Sequence, residues 1–303
     1  MLKLMGSLYA GEMLPSLLAA QLAPCLGTIQ TQPLCIGATS PSEGLSFSGT
    51  ALPIVPPLAL RATLANEPGP LTDLQPLRDQ TLAQIYELYK NNATSAQRAY
   101  IDSLVLSQQQ VRNINQNLMD NLTAIKDNSP NSQILAATIL IQMHVSPVIS
   151  VHVPFGGDNH RDLGLATETN QTVSGVATIA SLMQQLANVG LADAVTFMSL
   201  NVFGRTLGPG NSDGRQHNPN HQVSISIGKP FKGGVIGGIA PVQNDYGALP
   251  IDSNTGAGTT GGNISPGDTL GAFGMTMLSA VGVAPDVIAS LVSSGQIIKG
   301  ALV

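Results

Sequence analysis

The side chains best suited to chemistry gather in three polar stretches. The first is Gly156-Gly157-Asp158-Asn159-His160-Arg161-Asp162. The second is Phe203-Gly204-Arg205-Thr206, and the third runs Ser212-Asp213-Gly214-Arg215-Gln216-His217-Asn218-Pro219-Asn220-His221. Carboxylate oxygens and imidazole nitrogens are the donors that zinc and manganese accept. Asp158 and His160 lie two positions apart, His217 and His221 four, and on extended loops either spacing lets both side chains reach one ion. The same residues also suit an ordinary role, with Asp158 bonding loop amides and the histidines satisfied at the surface. His144 and His152 stand in apolar context and read as structural.

The elements that must position these loops follow from hydrophobic periodicity. Ile134 to His144 reads as a helix, Val148 to Val153 as a buried strand, residues 171–188 as a helix and Ala194 to Met198 as another strand. That order predicts an α/β layer with a mostly parallel sheet. The polar stretches then fall after strands, where open α/β sheets bind ligands. A further strand is expected at Gln222 to Ile227, an exposed mobile loop over 245–264, a helix from about Pro266 to Val281 with Asp268 or a serine as its cap, and a last short helix after Pro285.

Upstream the pattern changes. Residues 1–76 are rich in Pro, Gly, Ser and Thr and read as an irregular N-terminal segment of loops and short strands, although Met1 to Leu26, with Lys3 before Leu17-Leu18-Ala19-Ala20, faintly resembles an export signal. Glu12 and Pro15 interrupt that apolar run, so it reads as part of the mature chain. Residues 77–130 carry Leu82, Ile85, Tyr86 and Tyr89, then Ile101, Leu104 and Val105, at helical spacing. They predict a helical hairpin broken near Asn91-Asn92, its apolar face packed on the main domain of residues 131–303. Docking of a partner on that face is the second reading.

Composition narrows the function. The chain has 303 residues, a net charge of -5, 10% charged residues and no Trp. No basic cluster is present to neutralise nucleic-acid phosphates, so nucleic acid is not an expected partner. No apolar run reaches the roughly 20 residues of a membrane span. Cys25 and Cys35 are compatible with a small disulfide loop or with two buried thiols.

The same motifs carry a resemblance. Gly156-Gly157-Asp158-Asn159-His160 resembles the Gly-Gly-Trp-Asp-Thr-His motif of the domain-of-unknown-function family numbered 1501. Phe203-Gly204-Arg205-Thr206, Gly214-Arg215-Gln216-His217 and Lys232-Gly233-Gly234-Val235-Ile236-Gly237 resemble three further motifs of that family, in the same order, over roughly residues 132–285. That family is similar to the alkaline phosphatase and sulfatase superfamily, and its members usually carry twin-arginine export signals. The resemblance implies an alkaline-phosphatase-like sandwich, incomplete at its N-terminus, in a secreted bacterial protein of the periplasm or the extracellular space. It implies a metal-dependent hydrolase of phosphate or sulfate esters with a small anionic ester as substrate. Its divalent metal would be zinc, manganese or calcium, held by Asp158, His160 and His217, with His221 and Asp213 as substitutes by proximity. Arg205 would hold the oxyanion, or tie loops together through their carbonyls. Water would attack where no Ser or Thr serves.

Three positions depart from the family. Val202 and Gln216 stand where it has acids, and Gly157 stands where it has Trp. These departures keep a second reading open: a degenerate, non-catalytic relative, a structural or binding subunit of the cell envelope with a protein partner or in an oligomer. A nucleophile supplied by a separately encoded N-terminal half is a third.

Overall fold

The structure, a computed structural model, describes residues 13–37, 45–64, 74–112, 116–153, 155, 159–200, 204–208 and 214–303. It is mixed α/β, with small sheets that include a three-stranded parallel one. The chain divides into two compact units: Leu22–Gly44 with Pro53–His152, and Met1–Gln21 with Leu45–Leu52 and Val153–Val303. A first helix, α1 (Leu14–Leu26), runs in sequence from one into the other. The composition shifts at 76 and 130 both fall within the first-named unit.

That unit is built on β1 (Leu34–Ile36), β4 (Ile54–Val55) and β5 (Ile149–Val151), ordered β4-β1-β5 and parallel throughout. Cys35 pairs with Ile54 on one side and Ser150 on the other. Parallel neighbours cannot be joined by a tight turn, and the crossover to β5 contains α2 (Pro57–Leu64), α3 (Gln75–Asn91), α4 (Ser95–Arg112), α5 (Gln116–Ala124) and α6 (Pro130–Gln142).

Helix α6 starts cleanly because Ser129 caps it, accepting from Ser132 N, and Pro130 stands in its first turn. Its middle is apolar nearly all round, which fits burial on every side. Ile139 and Leu140 accordingly enter one core with Ile36, Leu60, Leu122 and Ile125. Each such side chain contributes about 1.5–3 kcal/mol by leaving water. The buried Gln133 of this helix is satisfied, its Oε1 accepting from His152 N at 2.8 Å.

Over 77–130, where one helical hairpin is predicted, the structure has α3, α4 and α5; α3 and α4 pair across a break at Asn92 to Thr94. Thr94 and Gln97 make a reciprocal cap at the start of α4: Gln97 N donates to Thr94 Oγ1 and Thr94 N donates to Gln97 Oε1. Lys90 joins the two helices through Asp102 at 2.6 Å. On the predicted apolar face Leu82, Tyr86, Ile101, Leu104 and Val105 are half-buried, and Ile85 and Tyr89 are exposed. Leu77, Leu88 and Tyr89 are largely exposed, while the half-buried stripe of Leu82, Tyr86 and Lys90 is the one from which Lys90 reaches Asp102.

In the other unit, β2 (Ser46–Phe47) and β3 (Thr50–Ala51) form a hairpin. Its two-residue turn, Ser48 and Gly49, has φ of 49° and 78° at its two positions, the mirror-image turn that suits strand twist. The long helix α7 (Ala166–Asn188) leads to β6 (Phe197–Met198). Here the expectation of one continuing parallel sheet fails: β6 pairs antiparallel with β9 (Ser226–Ile227), not with β5. The parallel neighbour of β5 is β1, which with β4 comes from the Pro-rich segment read as loops and short strands.

Residues 245–264 are likewise no mobile loop. β10 (Ile239–Val242) pairs with β11 (Asp245–Ala248), and Ile251 and Ile264 then enter a core with Ala272, Ile298 and Ala301. Glycine permits this fold: a Cβ on Gly262 would lie within 2.7 Å of Ile251 N. The C-terminal helices are α8 (Thr269–Ala280), after a 3₁₀ turn at Pro266–Asp268, and α9 (Pro285–Leu291), as periodicity predicts. Neither Ser265 nor Asp268 caps α8 from its side chain; Ser265 Oγ bonds Asp268 Oδ2 instead, at 2.8 Å.

Three smaller expectations change. Cys25 is an exposed free thiol and Cys35 a buried one, so the pair is neither a disulfide nor two buried thiols. His144 and His152 are both exposed despite their apolar sequence context. His144 adopts φ 51° at the end of α6, and its carbonyl accepts from Ile29 N at 3.0 Å. Among the described residues no helix is long and apolar enough to cross a membrane.

Candidate anion and metal site

Two two-residue strands build the candidate site. β7 (Gly204–Arg205) and β8 (His217–Asn218) are antiparallel, with Gly204 opposite Asn218 and Arg205 opposite His217. Directly opposed residues project from the same face, so Arg205 and His217 stand side by side. The loop before α7 brings the third group. His160 Nε2 lies 2.9 Å from His217 Nε2 and 3.3 Å from Arg205 Nη1, and the imidazole centroids are 4.6 Å apart. Three of the sequence-singled residues therefore converge.

His221 does not join them. Successive side chains alternate across a strand, so Gly204 faces away from Arg205, and a Cβ on Gly204 would come within 2.7 Å of His221 Nδ1. His221 is thus buried against the opposite face of the ladder. Its spacing of four from His217 suggested a shared ion, but the intervening turn carries it across. Among the described residues its Nε2 meets no hydrogen-bond partner. Asp158 and Asp213 lie outside the described residues.

The groups that hold the trio in place were not evident in the sequence. Arg215 Nε donates to both oxygens of Glu168 at 3.1 and 3.0 Å, and its Nη1 donates to Thr206 O at 2.8 Å. Asn159 Nδ2 also bonds Glu168, and Asn159 O accepts from Arg215 N at 3.0 Å. Asn159 precedes His160, Thr206 follows Arg205, and Arg215 lies two before His217. One partly buried ion pair therefore fixes the backbone beside each member of the trio. Asp162 holds the start of α7, accepting from Thr167 N at 2.9 Å and Glu168 N at 2.7 Å. The Glu168 N–H, followed by that of Thr167, keeps its carboxyl below the usual range. A depression of about 330 Å³ opens here, lined by His160, Arg161, Asp162 and Thr167.

Asp245 ties the ladder to the β10–β11 hairpin. It accepts from Leu207 N at 2.7 Å, Gly208 N at 2.9 Å and Asn218 Nδ2 at 2.8 Å. The Leu207 N–H, with smaller help from Tyr246, Gly208 and Asn218, lowers its carboxyl from the ordinary value. A carboxyl lowered by folding contributes stability that is complete above its unfolded pKa of about 3.9 and is lost as pH falls through the folded value. Asp245→Asn should therefore unfold in less urea than wild type at neutral pH, by a margin that stays flat down to about pH 5 and closes below about pH 4. A margin that widens on acidification would contradict this assignment.

The donor set bears on a metal in a specific way. Two nitrogens each 2.0–2.1 Å from one ion stand about 2.9 Å apart at a right angle and about 3.3 Å apart at a tetrahedral angle. The observed 2.9 Å suits two ligands of one ion, or one imidazole donating to the other. The Arg205 cation beside them suits an anion at the same place. Among the described residues no group of three or more His, Cys, Asp and Glu side chains converges.

Compared with known proteins, the chain matches no family model, no curated protein and no solved structure.

Proposed function

We propose that His160, His217 and Arg205 form the centre of a metal-dependent hydrolase of phosphate or sulfate esters. The observation that carries this reading is the convergence of two imidazole nitrogens and a guanidinium within 3.3 Å. His160 and His217 would hold a divalent ion, zinc, manganese or calcium, with Asp158 as the further ligand implied by motif. Such an ion, when bound, acidifies water and polarises an ester oxygen. Arg205 presents a planar fork that can bond two oxygens of a tetrahedral anion and orient it. The same fork offsets charge that grows on those oxygens in the transition state. Arg161 and Thr167 line the adjoining depression, which has room for a small ester.

Two further proposals accompany this reading. One is that the fold is an alkaline-phosphatase-like sandwich incomplete at its N-terminus, supported by the motif order and the parallel sheet. The other is a periplasmic or extracellular location, supported by the low charge and the resemblance. The competing reading is a non-catalytic relative in the cell envelope. It is favoured by Gln216, exposed beside His217, which offers an amide where the resembled family has an acid.

The test is turnover of a panel of phosphate and sulfate monoesters by the purified chain with zinc, manganese or calcium added. The hydrolase reading expects metal-dependent release of phosphate or sulfate. A panel with no release under any metal would leave the non-catalytic reading standing.

A further inference from the structure

We infer that the exposed face of the α3–α4 hairpin docks a second copy of this chain, making an antiparallel four-helix bundle across a two-fold axis. At about 100° per residue, Leu74, Leu77, Thr81, Ile85, Leu88 and Tyr89 fall on one stripe of α3 about 120° wide. All are exposed, Leu77 by 63%, Leu88 by 68% and Tyr89 by 68%. The ion pair from Lys90 to Asp102 of α4 lies on a different stripe, that of the half-buried Leu82, Tyr86 and Lys90, about a third of a turn away. A helix in a four-helix bundle meets two neighbours on two adjoining stripes. Among the described residues α3 has α4 as a neighbour in place, and the second stripe is exposed.

Helix α4 adds to the same face. With its Ile101, Asp102 and Val105 edge toward α3, the helical spacing places Tyr100 and Leu104 on the side where the α3 stripe opens. Tyr100 is 71% exposed. Together these side chains expose on the order of 600 Å² of apolar surface, near the roughly 800 Å² a standard interface removes from each partner.

The chemistry of the stripe selects a second copy over other occupants. A two-fold interface must be self-complementary. Thr81 marks the middle of the stripe, with Leu74 and Leu77 toward one end and Leu88 and Tyr89 toward the other, so antiparallel pairing lays apolar on apolar along its length. The charges of α3 are Arg78, Asp79, Glu87 and Lys90, which cancel, so self-pairing meets no net repulsion. A helix built to lie on a membrane carries an excess of Lys and Arg on its polar face, and α3 does not.

The test is sedimentation equilibrium of the full chain at micromolar concentration. Wild type should have twice the 31.3 kDa mass of one chain. Leu77→Glu with Leu88→Glu should raise the dimer dissociation constant at least about a hundredfold and leave a monomer with unchanged circular dichroism. Should that variant unfold, Thr81→Cys in a Cys25→Ser background decides: mild oxidation should give a disulfide-linked dimer. A monomeric wild type, a dimer unaffected by the two glutamates, no cross-link through position 81, or a monomer that sediments with anionic lipid vesicles would each overturn the inference. None of these outcomes depends on ester turnover.

Discussion

Replacing His217 with alanine is expected to cut metal-dependent ester turnover at least about a hundredfold while leaving the fold intact. His217 is exposed on β8, and its ladder bonds are made by backbone, so truncation should change stability by no more than about 0.5 kcal/mol. What it removes is one of the two nitrogens that stand 2.9 Å apart. His160→Ala should behave alike, and the double variant should lose little more than either single, because two ligands of one ion act as a unit. His221→Ala separates this account from a general histidine effect. That ring is buried on the other face of the ladder, so its loss should lower stability and leave the turnover per folded molecule nearly unchanged. Full turnover in His217→Ala would remove the ligand assignment.

The largest expected stability effect lies elsewhere, at Gly295. This residue has φ of 89°, and a Cβ placed on it would meet Ala272 Cα and Gly271 C at 2.9 Å and Ala272 N closer still. Gly271 makes the reciprocal approach, its Cβ position lying 2.8 Å from Ser294 Oγ. The start of α8 and the segment after α9 therefore touch backbone to backbone, beside the core of Ile251, Ile264, Ala272, Ile298 and Ala301. The bond from Ile298 N to Thr276 Oγ1, at 2.9 Å, fixes the same segment. Gly295→Ala combines a left-handed backbone with a backbone collision, and should destabilise by about 3 kcal/mol or more. Gly282→Ala is the control. Gly282 has φ of 87° but open space around its Cβ position, so only the backbone cost of about 1 kcal/mol remains. Thermal unfolding of the two variants should differ by several degrees. Equal midpoints would show that the segment after α9 gives way at little cost.

What could be read from the sequence follows from the range of the interactions. Helices α6, α7 and α8 are announced by local periodicity, although α6 and α7 begin at Pro130 and Ala166, earlier than the 134 and 171 that periodicity predicts. β1 and β4 write almost nothing. Each is two or three residues long, and the pairing of β1 with β5 joins Leu34 to Ile149, a contact no local pattern announces. The site divides in the same way. His160, Arg205 and His217 stand out by residue type, and the structure brings them together. Glu168 does not, because a carboxylate in the first turn of a helix is commonplace, and its ion pair with Arg215 spans 47 positions. His221 misleads because a spacing of four looks like a shared ligand until the strand alternation is known. The hairpin stripe is the converse case: its periodicity is plain, but periodicity says only that a face is apolar, and among the described residues that face is exposed.

The central claim, that His160 and His217 serve as ligands of one ion, is tested most directly by the metal content of the purified chain. The measurement is inductively coupled plasma mass spectrometry after dialysis against metal-free buffer, on wild type and His217→Ala. Near-stoichiometric zinc, manganese or calcium in wild type, lost in the variant, is the predicted result. Wild type that holds no metal even after reloading, or a variant that holds as much, would contradict it.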